Sequence, residues 1–146
     1  MRLPLPLLGV VFAALSLFPS TARAEKVSIG TLAPKQTVWG RVFSVWQEAV
    51  KKKSDGKLEL DIFYNGQHGD DATMIGKVRA GQLDGAAVSS IGLAKVDRNI
   101  LALQLPGVIR DFETLDRVRS ALLPAFQKQA EKEGFLLHVG ELGKLR

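Results

Sequence analysis

The spacing of hydrophobic positions changes several times along the chain. Leu3 to Phe18 is an almost unbroken apolar run without charge. From Lys26 to Leu32 a short β-branched run, Val27-Ser28-Ile29, ends at Gly30-Thr31 and predicts a buried strand. Over 38–53 the period becomes that of a helix, and Trp39, Val42, Phe43, Trp46, Ala49 and Val50 share one face. Ser54-Asp55-Gly56 stops it. Leu58, Leu60, Ile62 and Tyr64 alternate with Glu59, Asp61 and Phe63 and predict a second strand, closed by the Asn65-Gly66 turn. Asp70 or Asp71 can cap a helix over 72–80 that Gly81 ends. Leu83 to Val88 predicts a small-residue strand, followed by a short helix or loop through Leu93. Leu101 to Ile109 is apolar but broken at Pro106-Gly107. Leu115, Val118, Leu122, Phe126 and Ala130 mark a helix over 112–133, which Pro124 is expected to end, kink or restart. Phe135 to Val139 predicts a last strand.

The order is βαβαβ-α-β. Strands separated by helix-length crossovers imply an α/β fold, a mostly parallel sheet with helices on both faces. In such sheets ligands sit beyond the carboxyl ends of the strands, near the switch in strand order. No internal repeat or low-complexity linker interrupts the pattern. A layer of this kind that stops soon after a strand ordinarily continues, so the chain is expected to be a fragment or a truncated gene product.

The first apolar run follows Met1-Arg2 and precedes Pro19, Ser20, Thr21 and Ala22-Arg23-Ala24. A basic start, an apolar stretch and a small-residue A-x-A site predict a secretory signal peptide over residues 1–24, cleaved after Ala24. No cysteine occurs in the 146 residues, which excludes a disulfide framework and a lipid anchor at that site. A secreted domain without disulfides must rely on its core, and residues 25–146 are long enough to form one. The formal net charge is +5, and loss of Arg2 and Arg23 would leave +3. Lys51, Lys52 and Lys53 form a basic run at a predicted helix end, where cations complement the macrodipole. No aromatic residues interleave it, so a nucleic-acid surface is not expected.

Enzyme chemistry finds little support. No serine sits in a G-x-S-x-G turn, and His68 and His138 lack metal-ligand spacing. Gly140 to Lys144 lacks the spacing of a phosphate loop. Four loops remain at the carboxyl ends of the predicted strands: residues 32–39, 66–71, 89–92 and 140–146. They carry amides, hydroxyls, one aromatic and cations, a mixture suited to a small polar anion.

A collinear series of short blocks then resembles one family. Ile29-Gly30-Thr31-Leu32-Ala33-Pro34, Trp39-Gly40, Lys53-Ser54-Asp55-Gly56-Lys57-Leu58 and Phe63-Tyr64-Asn65-Gly66 come first. Gly69-Asp70-Asp71 through Met74, Val78-Arg79-Ala80-Gly81-Gln82-Leu83-Asp84-Gly85 and Leu103-Gln104-Leu105-Pro106 follow. Together they resemble the substrate-binding proteins of TRAP transporters, of the C4-dicarboxylate-binding (DctP) type. The resemblance implies the first lobe of a periplasmic-binding-protein-like (type II) clamshell, in which two α/β lobes close over a small carboxylate. It implies a periplasmic receptor, without cofactor, that delivers its ligand to the membrane permease subunits of a transporter and meets the membrane only through them.

The family's ligand contacts carry over in part. The loop after the first strand brings Ala33 and Lys35, with Trp39 behind them, although the asparagine often found there is replaced by Leu32 and Ala33. The acidic position maps to Asp70 or Asp71, either of which could instead be a helix cap. Polar contacts after the third strand map to Ser89 and Ser90, again with capping as the alternative, and Gly92 stands where arginine is sometimes found. A Gly-x-Arg element maps to Arg146, with Lys144 as second choice; the alternative is a terminal cation without a role. The family's main carboxylate-clamping arginine belongs to a second lobe that this sequence does not contain, so weak or no binding is expected of this lobe alone. A secreted α/β enzyme and a stand-alone single-lobe interaction domain are the competing readings.

Overall fold

The structure, a computed structural model, describes residues 23–138 except Pro106 and Val108. Residues 1–22, Val139, Lys144 and Arg146 lie outside the described residues.

Three parallel strands form the sheet, in the order β2-β1-β3: β1 is Glu25–Thr31, β2 Leu58–Phe63 and β3 Gly85–Ala87. Val27 and Ile29 lie beside Leu60 and Ile62, and Ile29 and Thr31 beside Gly85 and Ala87. The alternation of a strand sends successive side chains to opposite faces. On one face Ile29, Leu60, Ile62 and Tyr64 meet Phe43 of helix α1 (Val38–Lys53) in a buried cluster. On the other, Gly30 leaves room for Met74 of α2 (Asp71–Arg79): a β-carbon there would lie 2.9 Å from the methionine sulfur and 3.2 Å from Leu83. Helices therefore cover both faces, as the crossover order predicts.

The helix ends follow local rules. Thr37, Asp70, Ser89, Asp97 and Asp111 each accept a hydrogen bond from a backbone N–H two or three residues on. Such caps contribute about 1 kcal/mol each. α1 stops at Ser54, after which Asp55 and Gly56 take positive φ angles of 51° and 74°. Its last turn carries Lys51, Lys52 and Lys53, and Lys51 also pairs with Glu59 of β2 at 2.7 Å. A one-turn helix, α3 (Ser90–Leu93), and a 3-10 helix, Arg98–Gln104, lead to α4 (Phe112–Lys132). α4 buries Phe126 and Ala130.

Along α1, Phe43 and Gly40 are buried, while Trp39, Val42 and Trp46 are exposed. The apolar arc of this helix is wider than the strip the sheet covers, and periodicity does not say which part of it is covered. One expected strand is corrected: Phe135 to His138 forms none. This segment packs back on α4, where the side-chain amide of Gln127 donates to the Leu137 carbonyl at 3.2 Å. Of the outcomes expected at Pro124, an end or a restart does not occur, since α4 runs through it as one helix. The proline removes one backbone donor, and the other bonds of a 21-residue helix carry it through.

Candidate ligand-binding site

The strand order 2-1-3 puts the topological switch between β1 and β3, so a rim site is expected at their carboxyl ends. The loops after β1 and β2 are tied together there: the Asn65 and Gly66 amides donate to the carbonyls of Ala33 and Thr31 at 3.3 and 3.0 Å. Asn65 and Gly66 both adopt positive φ, as their turn requires. The loops after β2 and β3 are tied by Asp71. Its carboxylate accepts from the Ser89 amide at 3.2 Å and, through a short contact, from the Ser89 hydroxyl. All three described loops named from sequence therefore share one rim.

Their side chains divide into two groups. Asp70, Asp71, Ser89 and Ser90 are engaged within the protein. Asp70 accepts from the Thr73 amide at 2.7 Å. Hydrogen bonds from Thr73 hold its carboxyl below the usual range, and Lys95 adds to this. Asp71 is 8% exposed and serves as the link to Ser89. Ser89 caps α3 by accepting from the Ile91 amide, and the Ser90 hydroxyl accepts from the Gln104 side chain in a short contact. The capping alternative thus describes Asp70 and Ser89, and neither Asp71 nor Ser90 is a spare polar group. Gly92 is buried: a β-carbon would lie 2.7 Å from Val88 and 2.9 Å from the Asp71 β-carbon. An arginine at that position could not fit without separating α2 from α3.

The second group lies at the start of α1. Ala33 is half-buried against the core, and its amide donates to the Thr31 hydroxyl at 3.2 Å. Lys35 is exposed, with its ammonium 6.0 Å from the centroid of the Tyr64 ring. Trp39, 42% exposed, has its ring 6.4 Å from that of Phe43. Gly40 permits this arrangement, because a β-carbon there would lie 2.0 Å from the Lys35 carbonyl oxygen. The first turn of α1 holds no acidic residue, whereas that of α2 holds Asp71 behind the cap Asp70. A helix N-terminus attracts anions through its free amides and dipole. At α2 Asp70 and Asp71 stand at that end; at α1 the flanking charged residues in sequence, Lys35 and Arg41, are both cations.

Sequence reasoning missed Tyr64 and Gln104. Tyr64 is buried, with its ring 6.3 Å from Phe43, and its hydroxyl has no hydrogen-bond partner among the described residues. The tail of the alternating β2 pattern signalled its burial, but no local signal marked the hydroxyl. Among the described residues no group of three or more His, Asp or Glu side chains could hold a metal ion.

Residues 29–140 match the family of bacterial extracellular solute-binding proteins, family 7 (DctP). The chain belongs to this family. The family is one of solute receptors and not of enzymes. Solved structures show the same fold: a TRAP periplasmic solute-binding protein from a Polaromonas species, with bound D-erythronate, aligns at a TM-score of 0.69 and 21% identity over 76% of this chain and 37% of that one. Another from Sulfurospirillum deleyianum, with bound succinate, aligns at 0.67 and 21% identity over 77% and 37%. An uncharacterized protein of Haemophilus influenzae is 26% identical over 131 residues, which make up 86% of this chain and 40% of that protein. The chain thus spans about two-fifths or less of the length of the proteins it matches.

Proposed function

We propose that this DctP-family chain supplies one wall of a periplasmic receptor for a small organic acid, in the service of a TRAP-type transporter and its permease subunits. Residues 1–24 serve as the cleavable export signal and residues 25–146 as the first lobe. The observation that carries the reading is the start of α1: a helix N-terminus without acidic residues, beside Lys35, at the carboxyl end of the central strand. The ligand carboxylate is placed at Lys35 and the first-turn amides. Ala33 shapes the backbone there, and Asp70, Asp71, Ser89 and Ser90 hold the loops in position instead of touching the ligand. Arg146 is kept as a candidate contact on the family pattern alone. The erythronate and succinate bound by the two solved relatives are both carboxylates, which supports the class of ligand.

Residues 25–146 taken by themselves leave half of such a ligand in water, so weak binding is proposed for this lobe when it is tested alone. The test is a thermal-shift titration of the protein purified from the periplasm with succinate and erythronate. A ligand at ten times its Kd should raise stability by about 1.4 kcal/mol. The expected outcome is stabilisation only at millimolar ligand, lost in Lys35→Ala and kept in Asp70→Asn. Micromolar affinity, or millimolar binding indifferent to Lys35→Ala, would contradict the assignment.

A further inference from the structure

With a carboxylate placed at Lys35, the adjoining strand ends decide what the rest of the ligand meets. The topological switch lies between β1 and β3, on the other side of β1 from the β2 turn. The polar side chains there are committed to one another. The Ser89 hydroxyl donates to Asp71 and accepts from the Ile91 amide, and the Ser90 hydroxyl accepts from the Gln104 side chain. Gly92 is buried, with no room for a side chain between Val88 and Asp71. These ties join residues within this chain and do not depend on what further chain meets the rim.

Apolar groups stand beside these ties. Leu32 follows β1 directly, is 46% exposed, and has a methyl carbon 3.1 Å from where a Gly66 β-carbon would lie. Ile91, in the single turn of α3, is 65% exposed. The exposed amides of Gln36 and Gln67 belong elsewhere, next to Lys35 in sequence and in the β2 turn. Two carboxylates, Asp70 and Asp71, begin α2, against one cation, Lys95, that acts on Asp70. An acid held at Lys35 extends across the end of β1 toward α3. A second carboxylate on that path gives up its water and meets like charge. An apolar body covers Leu32 and Ile91 and gains by leaving water.

We infer that the ligand is a monocarboxylate with an apolar body, of the kind of a branched short-chain acid, and not a dicarboxylate. The inference rests on the receptor reading and narrows it: Lys35 fixes the charged end, and Leu32 and Ile91 select the other. An apolar lining with a few polar groups that orient the ligand is the usual construction of a small-molecule site.

Amide-shift titrations of the purified protein with 4-methylpentanoate, butyrate and succinate test it. 4-Methylpentanoate should bind roughly tenfold more tightly than succinate, the equivalent of burying about two more methylene groups, with butyrate between them. Leu32→Asn, at an exposed position, should keep the wild-type melting curve and reduce the preference to within about twofold. Asp70→Asn, which retains a capping side chain, should narrow it from the other side by tightening succinate. Lys35→Ala should weaken every acid, which checks the site separately from its selectivity. Succinate equal to or tighter than 4-methylpentanoate, while Lys35→Ala still weakens both, would overturn the inference and leave the receptor reading standing. So would a preference unchanged in Leu32→Asn. Absence of binding, or binding indifferent to Lys35→Ala, would overturn the receptor reading and this inference with it.

Discussion

Asp71 and Tyr64 show how differently two buried polar side chains behave. Asp71 has its hydrogen bonds made, and Ser89, on the far side of β3, depends on it. Asp71→Ala should cost about 1–3 kcal/mol, because the Ser89 amide and hydroxyl lose their acceptor. Tyr64→Phe removes a hydroxyl that has no partner among the described residues and should be neutral or stabilising by up to about 1 kcal/mol. Urea unfolding midpoints of the two variants check both signs; equal destabilisation would contradict the contrast. At this scale the sequence was legible only where the partner is local. That an aspartate caps a helix starting near residue 71 could be read from spacing. Which of Asp70 and Asp71 does so was settled by a serine eighteen positions away, which no local pattern reveals.

At the scale of elements, α1 and β2 were read nearly residue for residue, because a wide apolar arc and strict alternation identify them without tertiary information. The expected third strand, Leu83 to Val88, is shortened to Gly85–Ala87 for a reason that lies in the sheet. Leu83 turns into the core and Asp84 binds across to β1: its carboxylate accepts from the Ser28 amide and hydroxyl at 2.7 and 2.6 Å, and its amide donates to the Ser28 carbonyl at 3.0 Å. The aspartate in the family-like Gly-Gln-Leu-Asp-Gly block is thus a stitch between strands. The Ser28 hydrogen bonds hold its carboxyl below the ordinary carboxylate range. A depressed carboxyl contributes stability above its unfolded pKa near 4, and that contribution is lost as pH falls through the lower folded value. Ser28→Ala should therefore be less stable than wild type at neutral pH, and the gap should narrow as pH falls below about 4. Paired urea titrations across that range read the gap; a constant or widening difference would contradict the stitch. The last predicted strand shows the opposite limit: an apolar run becomes a strand only where a sheet edge receives it, and Phe135 to Leu137 lies against α4.

For the whole molecule, the fold followed from the order of elements, since crossovers of helix length between strands leave few arrangements besides a parallel sheet with helices on both faces. The site was legible as a rim and not as a set of contacts. Of the candidates, four polar side chains make hydrogen bonds within the protein, and the proposed function rests on Lys35 at the start of α1. Amide chemical-shift mapping of the purified protein, titrated with succinate, tests that account most directly. Saturable shifts should cluster at residues 33–39, with smaller ones at 64–66, whose amides bond to that loop, and should leave the α4 region unchanged. No saturable shift, or shifts centred on Asp70 and Asp71 with Lys35 and Thr37 silent, would contradict it.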